Sequence, residues 1–62
     1  MVRDWMIGYD VVIVRGPARG ATGMLWDIDG ETCSVKRYDN GRLCAAETYN
    51  VRDVHPTDWR ET

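Results

Sequence analysis

The sequence predicts an all-β domain: five short strands closing into a small barrel, with one short 3-10 turn before the last strand. Three observations carry that expectation. Runs rich in valine, isoleucine, threonine and aromatic residues are bounded by glycine, asparagine and aspartate, as strands are. The dipeptides Asp29-Gly30 and Asn40-Gly41 stand between such runs, and both are residue pairs that tight hairpin turns favour. Gly16, Gly20 and Gly23 punctuate the connection between two apolar runs, where a chain must turn back sharply or approach itself closely.

A chain of 62 residues is one domain. Its expected organisation is an N-terminal arm over 1–7, a barrel over 8–57 and a C-terminal tail over 58–62. A domain of this size buries only about 60% of the surface its unfolded chain exposes, and its core supplies roughly 3–5 kcal/mol of net stability. That leaves little room for a deep pocket with convergent catalytic groups, and favours a shallow surface that binds something larger. The expected function is therefore a non-enzymatic binding module.

Ten acidic and eight basic residues give a net charge of −2, which excludes a strongly basic nucleic-acid coat. Seven of the eight basic residues are arginine, suited to planar contacts with phosphate or carboxylate. No apolar run approaches the roughly 18–20 residues that span a bilayer. The N-terminus lacks the apolar core of a signal peptide. Two cysteines without a partner motif fit a reducing compartment. Together these lead us to expect a cytoplasmic protein.

Residues 1–7 are too few for an independent helix, so an extended arm laying Trp5 or Met6 on the barrel is expected. Asp10 to Arg15 reads as the first strand, but four consecutive apolar residues hide which side faces inward. The loop Gly16 to Gly23 contains Pro17, which cannot donate to a ladder. Met24 to Ile28 is the second strand. Leu25 and Ile28 are three apart, and a bulge or bend between them would turn both inward. Thr32 to Tyr38 and Leu43 to Thr48 are the third and fourth strands.

The Asn40-Gly41 turn sets their register. Asp39 faces Arg42, Tyr38 faces Leu43, Arg37 faces Cys44, Val35 faces Ala46 and Cys33 faces Thr48. Cys33 and Cys44 then share a face but lie roughly 13 Å apart, beyond the about 7 Å that a disulfide tolerates, so two free thiols are expected. Asn50 caps a helical turn ending at Asp53. Val54-His55 closes the barrel before Pro56. This order of short strands and tight turns suggests a small SH3-like barrel.

Gly8 to Val35 also resembles a KOW motif, the segment shared by NusG-type transcription factors and several ribosomal proteins. Val11 and Ile13 match its inward pair, and Gly16, Gly20 and Gly23 its loop glycines, with Gly20 at the family's most constant glycine. Leu25 and Ile28 match its second strand and Val35 its third. The resemblance covers somewhat under half of the chain. It implies an SH3-like fold and binding to RNA, DNA or proteins of transcription and translation. Arg19 is the only charge inside a loop that is often lysine-rich in that family.

Tracing the strands up and down puts basic residues at one end and acidic residues at the other. Arg15, Arg19, Lys36, Arg37, Tyr38 and Arg42 are the candidate nucleic-acid contacts, holding phosphates and stacking a base. Trp26, Trp5 and Trp59 are the candidate protein contacts, because an exposed tryptophan commonly anchors a partner. His55 reads as structural. Asp27, Asp29 and Glu31 read as a solvated turn, and no histidine or cysteine set has the spacing of a zinc site. No catalytic residue, metal or cofactor is expected. The signature residues of small SH3-like reductases, which build active sites at oligomer interfaces, are missing. The expected partner is RNA or a component of the transcription or translation machinery, engaged by a monomer or homodimer. The alternative is a protein-interaction module using Trp26 and adjacent apolar surface.

Overall fold

The computed structural model describes residues 1–57. It contains β1 (Asp10–Ile13), β2 (Thr22–Asp29), β3 (Thr32–Asp39), β4 (Arg42–Asn50) and β5 (Val54–Pro56), with 3-10 turns at Asp4–Met6 and Val51–Asp53. The fold is all-β, as expected, with a 3-10 turn directly before the last strand. The tail expected over 58–62, with Trp59, lies outside the described residues.

All five strands form one antiparallel sheet in the order β4-β3-β2-β1-β5. It is an open sheet, not a closed barrel. No pairing joins β4 to β5 among the described residues. β5 is only three residues long, and β4 is exposed along most of its length.

One face carries the core. Val11, Ile13, Leu25, Cys33, Val35 and Val54 are buried there together with Val2. The alternation hidden in the first apolar run is thus resolved: Val11 and Ile13 point inward, and Val12 and Val14 are half-buried. The N-terminal segment lays Met6 on the core, as expected of the arm, but it is not extended throughout: Asp4–Met6 winds into a 3-10 turn, and Val2 itself belongs to the core. Trp5 stays exposed.

Two bulges adjust the registers. Leu25 pairs with Val35 and Asp27 with Ser34, leaving Trp26 as the extra residue in β2. This insertion keeps both Leu25 and Ile28 on the core, since each side of a bulge follows its own alternation. The β3–β4 hairpin opens in the expected register, with Asp39 opposite Arg42 and Tyr38 opposite Leu43. Cys44 and Ala45 then share the place opposite Arg37, and the pairing slips by one. Val35 faces Glu47, not Ala46, and Cys33 faces Tyr49, not Thr48. Both cysteines are free, but Cys33 is buried and Cys44 exposed.

β1 stops two residues earlier than expected because the Val14 N–H turns to the Asp53 carbonyl at 2.8 Å. β2 starts at Thr22, so Gly23 lies inside a strand. The backbones pass so closely there that a Cβ on Gly23 would collide with the Lys36 carbonyl oxygen.

Candidate functional site

Strand alternation leaves a second face, opposite the core. In one row across it lie Asp10, Met24, Lys36 and Ala46. Tyr38 and Leu43 form a neighbouring pair. Trp26, pushed out by its bulge, stands beside Lys36, whose Nζ lies 3.5 Å from the centre of the indole ring. Trp26 remains 48% exposed, and Tyr38 and Leu43 are also exposed. The face therefore carries exposed aromatic and apolar side chains, with Asp10, Asp27 and Lys36 as its charges.

Several groups named from the sequence have internal partners. The Tyr38 hydroxyl donates to Asp10 Oδ1 at 2.9 Å. That bond is the main cause holding the phenol above its ordinary pKa. Arg37 Nε lies 2.7 Å from Glu47 Oε1. Lys36 rests on Trp26. Trp26 itself is covered by this lysine, not by Trp5, which meets Tyr9 edge to face with ring centres 5.6 Å apart. Gly8 and Tyr9 are hydrogen-bonded to Leu25, which fixes that pair next to β2.

The expected separation of charge is broken in two places. Glu47 lies on Arg37 because of the β4 bulge. Asp53 lies at the Arg15 end because its carbonyl accepts from Val14. Arg42 stands at the tip of the β3–β4 hairpin, opposite Asp39. Arg15 and Arg19 stay together on the glycine loop and line one depression with His55 and Arg52. Arg52 is not among the candidate residues that the sequence pattern names. Its signal was the Asn50 cap: Asn50 Oδ1 accepts from Arg52 N at 3.0 Å and from Arg52 Nε at 3.1 Å.

His55 lies between the N-terminus and the loop. Its Nδ1 is 2.8 Å from the Met1 amine. Burial, then that amine, then Arg15 press its pKa below the ordinary 6.5. In the Asp27 to Glu31 turn, the Asp27 carboxylate accepts from Ile28 N and the Thr32 hydroxyl donates to the Asp29 carbonyl. Among the described residues no three histidine, cysteine or acidic side chains converge as metal ligands, and no helix is long and apolar enough to cross a membrane. No protein-family model, no curated protein and no solved structure matches the chain.

Proposed function

We propose that the chain is a small binding module, acting without catalysis, that takes a protein partner on the sheet face opposite its core. One observation carries this reading. Trp26 is lifted out of β2 by a bulge, stays half-exposed, and lies on the same face as Met24, Tyr38 and Leu43. Tryptophan is among the side chains most enriched at the desolvated centres of interfaces that carry most of the binding energy. The Lys36 ammonium above the ring fixes its orientation at about 0.5–1 kcal/mol, so little side-chain freedom is lost on binding.

The KOW resemblance makes a component of the transcription or translation machinery the natural class of partner. Direct RNA contact has weaker support, because Lys36, Arg37 and Tyr38 are engaged with Trp26, Glu47 and Asp10. Affinity capture with the wild-type chain and with Trp26→Ala, each with and without nuclease, tests the reading. The expected result is a partner retained after nuclease and lost with Trp26→Ala. Retention that vanishes with nuclease, or that is indifferent to Trp26→Ala, rejects it. Sedimentation of the same two proteins tells whether the partner is a second copy.

A further inference from the structure

The depression at the end of β1 shares no residue with the aromatic patch, and its construction is specific. Ile13 N donates to the Ala21 carbonyl at 2.9 Å, and Gly20 N donates to the Ile13 carbonyl at 2.8 Å. These bonds fold the loop carrying Arg15 and Arg19 back over the strand end. On the other side, Val14 N fastens the 3-10 turn carrying Arg52 through the Asp53 carbonyl. The backbone thus brings Arg15, Arg19 and Arg52 to the lining of one open hollow of about 660 Å³, together with Met1, His55 and residues 12–14.

Among the described residues, no carboxylate lines this hollow. Arg15 also borders a second depression, where Arg37, Glu47 and Asp53 mix both signs of charge. Among the described residues the only ion pair is Arg37 with Glu47, so the three arginines have no carboxylate partner there. Arg52 is held in place by Asn50 through its backbone N–H and its Nε, which leaves its terminal amino groups for another acceptor. With the Met1 amine also on its lining, the hollow gathers positive charge in a chain of net charge −2, and like charges brought together repel until an anion joins them.

We propose that Arg15, Arg19 and Arg52 form a binding site for a phosphate group, free or at the end of a phosphomonoester. A tetrahedral dianion accepts from several guanidinium forks at once, which a monoanion or a single diester link does less well.

The test is an NMR titration of the full chain with inorganic phosphate, a nucleoside monophosphate and a short oligoribonucleotide with hydroxyl ends, each at constant ionic strength, and with sodium chloride as the salt control. Phosphate and the monophosphate are expected to shift the Gly16 to Gly20 amides and the Arg52 Nε–H saturably at millimolar concentration. Losing one charged donor is expected to weaken binding about tenfold in Arg52→Gln and in Arg19→Gln. The second variant lies on the exposed loop and guards against a disturbed Asn50 turn. Arg42→Gln and Trp26→Ala are expected to bind phosphate as the wild type does, which separates this site from the aromatic face. The proposal is overturned if phosphate gives no saturable shift, if both arginine variants bind normally, if chloride gives the same shifts, or if only the hydroxyl-ended oligonucleotide binds.

Discussion

Cys33 and Cys44 show how one residue's place decides its chemistry. Both are thiols on neighbouring strands, yet Cys33 is part of the core and Cys44 faces solvent. Burial, aided by the Asp53 charge, pushes the Cys33 pKa up to about 11. The thiolate is the reactive form, so Cys33 is inert twice over, by access and by protonation. At pH 8, a thiol reagent is expected to label one cysteine per native chain, at Cys44, and two in denaturant. Labelling of Cys33 at the same rate as Cys44 under native conditions, read by peptide mass spectrometry, would contradict the packing described. Trp26 makes the same point for binding. Its neighbour Leu25 is 0% exposed, and a single inserted residue sends the indole outward.

At the level of elements, the bulges and glycines do the shaping. Gly23 is the clearest case, because its φ is not the reason for it. It sits where β2 passes too near β3 for a side chain. A Cβ at that position would stand 2.8 Å from the Arg37 Cα, with the Lys36 carbonyl nearer still. Those are backbone atoms that cannot swing aside. Gly23→Ala is expected to lower stability by about 1–3 kcal/mol as an overpacking change, measured by urea denaturation. Gly41, at φ +79 beside Asn40 at φ +52, has open space around it. Gly41→Ala should meet only the left-handed backbone penalty, about 1–2 kcal/mol. If Gly23→Ala proved neutral, the β2–β3 approach would have to be wider than described.

The whole molecule has a thin margin. Among the described residues, seven buried hydrophobic side chains form the core, and the largest fully buried among them are Ile13 and Leu25. Leu25→Ala is expected to cost about 2–5 kcal/mol, comparable to the roughly 3–5 kcal/mol a domain of this size possesses. Circular dichroism of that variant at room temperature should therefore report a largely unfolded chain. A melt close to wild type would mean that the core lies elsewhere. The same thin core explains why the recruited N-terminal Val2 matters: with so few buried side chains, one more is a sizeable share.

The residue pattern by itself determined the all-β class, the two hairpin tips, the Asn50 cap and the presence of a break between Leu25 and Ile28. Each of these is local, set by turn chemistry or by alternation over a few positions. The tertiary structure alone decided that the sheet stays open, that Val2 is core, that a second bulge shifts the β3–β4 register, and that Arg52 joins Arg15 and Arg19. These depend on which backbone groups meet across the chain, as Val14 meets Asp53. A bulge of one residue, invisible in composition, is enough to redirect every side chain beyond it.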